Sequence, residues 1–164
     1  MGKTSAGLAA LCLLVSAQAA SAQNASEIER VRHGKGNCPH CNLFQADFAY
    51  MDKPGANLAG ARLRQADLSL VTMNHANFSG ANLSIANMFG GRFTRASFKH
   101  ANLRRANLVG AYAGYADFTG ADLTGACLSG ANLVGARISQ RQLNSACGDD
   151  STILPNGLHI PVCR

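Results

Sequence analysis

Tryptophan is absent from this 164-residue chain, aromatic residues make up 6% of it and charged residues only 15%. A length of this order allows one domain, and the shortage of large rings argues against an ordinary globular core. No apolar stretch reaches the roughly twenty residues that a helix needs to cross a bilayer, so no transmembrane segment is expected in the mature form. Metal-ligand spacing, a phosphate loop, a Ser/His/Asp set and a pair of carboxylates are all missing. No metal or cofactor is called for, and a non-enzymatic protein is expected.

What is present begins with a leader. Residues 1–22 hold one early cation, Lys3, an apolar run from Ala6 through Val15, and Ala20, Ser21 and Ala22 before Gln23, the pattern of an export signal cleaved after Ala22. The apolar part is too short for an anchor, and bulky Leu11 before Cys12 excludes a lipobox. A periplasmic or secreted protein follows. Removal of Lys3 takes one unit from the formal charge of +6, so the exported chain stays basic. That charge suits an anionic polymer or surface and implies no sequence-specific nucleic-acid recognition.

From Cys41 onward, positions whose numbers end in 1 or 6 are mostly Ala or another small residue, and nearly all those ending in 3 or 8 up to Leu143 are apolar. The frame reads Ala46-Asp47-Phe48, Ala56-Asn57-Leu58, Ala81-Asn82-Leu83 and Ala131-Asn132-Leu133, and it fits twenty-one five-residue units into 41–145 without an insertion. A period of five matches neither a helix nor a flat strand, so the chain must turn at a constant rate with two inward positions per unit. The pattern A-(D/N)-L-x-x resembles that of the pentapeptide-repeat family over about 105 residues. The resemblance implies an all-β fold, a right-handed quadrilateral β-helix or solenoid of about five coils, with Ala and Leu/Phe inward and the other three positions outward. Some members of that family mimic DNA and inhibit type II topoisomerases, a role for a strongly acidic cytoplasmic rod, whereas this chain is basic and carries an export signal.

With about four units per coil, residues twenty apart stack. One inward column is then Leu43, Leu63, Leu83, Leu103, Leu123 and Leu143, and another is Leu58, Phe78, Phe98, Phe118 and Ile138, with three rings in a ladder. Two centres break the pattern. Lys53 cannot be buried bare, so either its stem snorkels outward or the first coil is irregular on that face, and Pro54, which removes a ladder donor, favours the irregular coil. Ala113 lies above Phe93 and below Leu133, so a large neighbour is expected to fill the space it leaves.

An open solenoid exposes unpaired backbone at both ends, and both flanks are suited to cover it. Residues 23–40 form the N-terminal cap, with a short helix over 26–32 capped by Ser26 and followed by Cys38-Pro39-His40-Cys41. Residues 146–164 form the C-terminal tail, with Ile153, Leu154, Leu158, Ile160 and Val162 to lie across the last coil. A disulfide between Cys147 and Cys163 would close that tail and contribute roughly 3 kcal/mol. Cys38 and Cys41 read as a structural disulfide of the N-terminal cap. The alternative is thiol–disulfide exchange at this C-x-x-C, which requires a first sulfur at a helix N-terminus. Cys127, at an outward position, is left as the unpaired thiol, and could bridge two chains into a homodimer.

Function is confined to the outward positions. The face carrying 46–50, 66–70, 86–90 and 106–110 points Tyr50, Leu70, Phe89 and Val109 outward, an apolar strip that either a partner protein or the cap segments must cover. The basic residues Arg92, Arg95, Lys99, Arg104 and Arg105 fall in a stretch without an acid and wind over three faces, with Arg62 and Arg64 two coils before the last pair. Arg92 stacks under Tyr112 and Arg95 under Tyr115, with His75 below Arg95, which suits cation–π pairing. The expected function is a structural or protein-interaction module with an unknown protein partner. Binding of an anionic polymer through the basic band is the second reading, and exchange at Cys38 and Cys41 the third.

Overall fold

The computed structural model describes residues 24–163, and the expected leader at 1–22 lies outside the described residues. The chain winds so that residues twenty apart pair in parallel, from Asn42 with Arg62 and Asp47 with Asp67 through to Asp117 with Arg137. Twenty residues hold four five-residue units, so the coil has four sides.

One unit shows where each backbone group goes. Arg62 N–H donates to the Cys41 carbonyl of the coil before (2.8 Å), while Leu63 N–H and Gln65 N–H donate to Asn82 and Ser84 of the coil after (2.8 and 3.1 Å). Ala66 N–H closes the corner onto the Leu63 carbonyl at 3.0 Å. The fourth residue's N–H is met by the side chain at the second position: Asn82 Oδ1 accepts from Ser84 N–H at 3.1 Å, and Asp117 Oδ1 from Thr119 N–H at 2.9 Å. The pattern of Ala, Asp/Asn and Leu thus has a cause at each place. Ala fits the crowded inward corner, the Asx oxygen satisfies a donor no ladder reaches, and Leu fills the axis.

The fifth residue takes a positive φ, 65° at Gly60 and 53° at Leu70, the conformation that the third place of such a turn demands and glycine adopts freely. At Leu70 and Tyr115 the side chain lies over the glycine one coil on. A Cβ on Gly90 would meet Leu70 Cδ2 at 2.7 Å, and one on Gly135 would meet the Tyr115 ring at 2.6 Å.

The inward columns are dry. Leu43, Leu63, Leu83, Leu103, Leu123 and Leu143 are all buried, as are the Ala residues beside them. Phe78 and Phe98 stack at 5.1 Å between centroids and 3° between planes, and Phe98 and Phe118 at 5.0 Å and 11°. Phe93 meets Phe78 and Phe98 edge-on at 6.0 and 5.7 Å. Its ring occupies the space beside Gly91, where an added Cβ would lie 2.5 Å from it, so Gly91 is a small residue that makes room for this large one.

Four expectations are corrected. The N-terminal helix, α1, spans Ala25–His33, and its N-cap is Asn24, whose side chain accepts from Glu27 N–H; Ser26 sits inside the first turn and donates to Asn24 Oδ1 at 2.8 Å. The first coil is regular at Lys53, whose N–H reaches the Thr72 carbonyl at 2.8 Å. The ammonium leaves the axis and donates to the Gly34 carbonyl at the end of α1 (2.7 Å), and Pro54 costs no ladder bond because its place in the unit is the one that never donates to the ladder.

The third correction concerns the end of the repeat. A second helix, α2, spans Gln140–Leu143 and replaces the turns expected there, with Ser139 and Gln142 forming a capping box. The ladder resumes beyond Ser145: Cys147 pairs with Cys127, and Ile153 pairs with Asn132 after a one-residue slip. The fourth concerns the tail. Leu154, Leu158 and Ile160 pack on the core, whereas Ile153 and Val162 remain 50% and 68% exposed because that part of the tail lies in the ladder and alternates its side chains outward.

Candidate functional site

Because inward positions are filled, each candidate site is a column of outward side chains repeated about every 4.8 Å along the rod. The apolar strip stands on one face. Tyr50 is 77% exposed, Leu70 44% and Phe89 45%, while Val109 is half-buried. The cap segments do not cover it. α1 lies across the foot of the first coil, where Arg32 reaches Asp47 at 3.9 Å, and the tail crosses the other end. Of the two covers considered for the strip, the caps are therefore excluded among the described residues.

The basic residues do not form one band. Lys99 reaches Asp117 at 3.4 Å and Arg104 reaches Asp122 at 3.2 Å, because stacking brings acids from the next coil to a stretch that has none along the chain. Arg92 lies over the Tyr112 ring at 5.5 Å and Arg95 over the Tyr115 ring at 5.8 Å. Arg62, Arg64 and Arg105 are exposed and form no ion pair among the described residues.

The acids that answer these bases are themselves held ionised. Two hydrogen bonds from Thr124 hold the Asp122 carboxyl below its usual range, with Arg104 adding to them. At Asp117 burial works the other way, but the Thr119 hydroxyl and N–H together with Lys99 outweigh it, and the value is again lowered. Asp149, which accepts from Ser151 Oγ at 2.6 Å and Gly130 N–H at 3.1 Å, is lowered first of all by the Ser151 hydroxyl.

The cysteines divide into two environments. Cys38 and Cys41 are joined, both are buried, and Cys38 N–H already donates to the Asn57 carbonyl at 2.8 Å as part of the ladder. That pair sits beneath α1, where Cys38 Sγ meets the Glu27 carbonyl of the first turn at 3.9 Å. Cys147 and Cys163 are joined at the other end. Cys127 is free, but it is not isolated: its Sγ lies 3.2 Å from that of Cys163, and all three sulfurs fall within 4.8 Å of one another. A signal for this was present in the chain, since Cys127 and Cys147 are twenty apart in the column of Asp47, Asp67, Asn87 and Asn107.

Open grooves flank α2, between Asp122, Thr124, Arg141 and Gln142 on one side and Thr119, Arg137 and Ser139 on the other. They have no enclosed wall and gather no set of catalytic groups. No described helix is long and apolar enough to cross a membrane.

The family model described as pentapeptide repeats matches residues 55–88, 76–112 and 101–140, with eight copies. A solved structure of HetL, a pentapeptide repeat protein involved in heterocyst differentiation regulation from the cyanobacterium Nostoc sp. strain PCC 7120, is similar with 32% identity and a TM-score of 0.69. The match covers 76% of this chain and 53% of HetL, so the chain spans about half the length of that protein. A pentapeptide repeat protein from the Arabidopsis thaliana thylakoid lumen is 37% identical over 48% of this chain and 54% of its own, with a TM-score of 0.47. Among curated proteins no sequence matches.

Proposed function

The chain belongs to the pentapeptide-repeat family, and from that premise we propose that it is an exported, non-enzymatic solenoid that serves as a protein-interaction module through the Tyr50, Leu70 and Phe89 face. The observation that carries this reading is the exposure of that strip on a rod whose ends are both covered. Large apolar side chains in a continuous row on a rigid surface cost solubility unless they meet a partner. Two of them, Tyr50 and Leu70, are also held at positive φ, a strained place that glycine would fill more cheaply. The basic residues support an anionic partner less well, because Lys99 and Arg104 are paired with acids and Arg92 and Arg95 with rings.

Export rests on the pattern of residues 1–22 and places the encounter in the periplasm or outside the cell. Affinity capture of the tagged protein from the exported fraction of its own cell tests both parts. A specific protein should be recovered with the natural chain and lost with Tyr50→Ser, Leu70→Ser and Phe89→Ser combined. Undiminished capture by that variant would remove the strip from the proposal, and retention of the chain in the cytosol with its leader uncut would remove export.

A further inference from the structure

The three sulfurs at the C-terminal end are placed for chemistry that the apolar strip does not need. Cys127 and Cys147 occupy the same outward column on successive coils, fixed by their parallel bridge and by Cys147 N–H donating to the Ala126 carbonyl at 2.9 Å. Cys163 is brought to them by the tail, where Cys163 N–H donates to the Gly148 carbonyl at 2.9 Å and Gly148 pairs with Val162. Each sulfur therefore stands on hydrogen-bonded backbone. Ser129 lies between two of them, its Oγ 3.6 Å from Cys127 Sγ and 3.5 Å from Cys163 Sγ. All three cysteines are half-buried and reachable from solvent.

We propose that Cys127, Cys147 and Cys163 form a thiol–disulfide exchange centre, in which the thiolate of Cys127 attacks Cys163 Sγ and the disulfide moves from Cys147–Cys163 to Cys127–Cys163. The step balances within the protein. A bond forms between the sulfurs of Cys127 and Cys163, the bond between those of Cys163 and Cys147 breaks, and the electron pair leaves on Cys147. The proton that Cys127 gives to water is regained by Cys147, and no external oxidant or reductant is consumed. Cys163 is the shared sulfur because it is bonded to Cys147 and lies 3.2 Å from Cys127. The Ser129 hydroxyl is a positioning group that holds the attacking and attacked sulfurs together. Cys38 and Cys41 have neither feature, being buried and without a third sulfur beside them among the described residues.

The centre keeps one thiol in either state and moves it by one coil along the face that carries the strip. The test uses the natural chain, oxidised and folded, held in buffer near the ordinary cysteine pKa of about 8.5 so that thiolate is present. Samples are quenched in acid, unfolded, labelled with a maleimide, and cut by trypsin and an Asp-directed protease, since Arg137, Arg141 and Asp149 separate the three cysteines. The expected result is a label divided between Cys127 and Cys147, with at least about a tenth on Cys147, the share for pairings equal to within tenfold. A peptide pair joined through Cys127 and Cys163 should accompany it. A label confined to Cys127 after prolonged incubation would overturn the proposal.

A second measurement does not depend on the balance between pairings. In the chain without residues 1–22, whose Cys12 would add a thiol, Cys147→Ser should recover a disulfide through Cys127 and titrate with no free thiol, as Cys127→Ser should with its original pair. Two free thiols in Cys147→Ser under the same oxidising conditions would also overturn it.

Discussion

At the N-terminal end the first coil offers N–H groups with no coil before them, and side-chain oxygens accept them: Glu27 Oε2 takes Asn42 N–H at 2.6 Å and Asn37 Oδ1 takes Asn57 N–H at 3.1 Å. At the C-terminal end the orphans include carbonyls, and a side-chain donor answers. Gln142 Nε2 donates to the Phe118 and Ala121 carbonyls at 2.6 and 3.0 Å, taking the place of the backbone N–H that α2 has turned inward. Second-position N–H groups donate to the coil before and third- and fifth-position N–H groups to the coil after, so each end leaves a different set of donors and acceptors, and the two caps differ in sequence for that reason. They differ in their sulfur chemistry too, with a sealed pair beneath α1 and an open cluster under the tail.

Breaking the N-terminal end should have the larger effect. Val31 is fully buried between α1 and the first coil, and Val31→Asp places an unpaired carboxylate there at a cost of about 3 kcal/mol or more. Amide hydrogen exchange should accelerate at Leu43 and Phe48 while Leu123 and Leu128 keep their protection, because coils in a solenoid contact only their neighbours. Equal loss at both ends would show a rod that opens as one unit.

Gln142→Ala tests the other end. It leaves the Ala121 carbonyl without a donor, while the Phe118 carbonyl keeps Ala121 N–H at 2.9 Å, and removes half of the capping box, for about 2 kcal/mol in urea unfolding. The loss of protection should now fall on the last coils and spare the first. A smaller, graded difference is expected on acidification. The lowered carboxyls Asp117, Asp122 and Asp149 all lie toward the C-terminal end. Their folded-state values lie below the unfolded ones, so the stability they contribute is present above the ordinary carboxylate pKa of about 3.9 and is lost as pH falls through the lowered values. Exchange followed between neutral pH and pH about 3 should therefore show the tail and α2 loosening at the acid end of the range. Unchanged protection there would mean that these carboxyls add nothing to the cap.

The period, the inward columns and the stacked rings were legible because each rests on a rule repeated in every unit. What was missed belongs to single places. Ser139 and Gln142 spell a capping box, but Arg141, Gln142 and Leu143 also keep the five-residue frame, and Leu143 stays buried in either reading. Asn24 outcompeted Ser26 because its oxygen reaches the third N–H of the helix from outside it. The snorkelling of Lys53 is decided by the Gly34 carbonyl, which belongs to the cap and not to the repeat. The pairs of Lys99 with Asp117 and Arg104 with Asp122, and the meeting of Cys127 with Cys147, lie on outward columns that the register predicts as firmly as the inward ones.

The twenty-residue register also indexes the molecule as a thread indexes a screw. Gain or loss of a whole coil would lengthen or shorten the rod and leave the strip, the arginines and the sulfurs on the faces they now hold. Gain or loss of one five-residue unit would preserve every local bond, yet it would turn everything beyond it by a quarter revolution. Tyr50 and the sulfur cluster share a face because the count of units between them is a multiple of four, and a single unit more or fewer would send them to different sides of the rod.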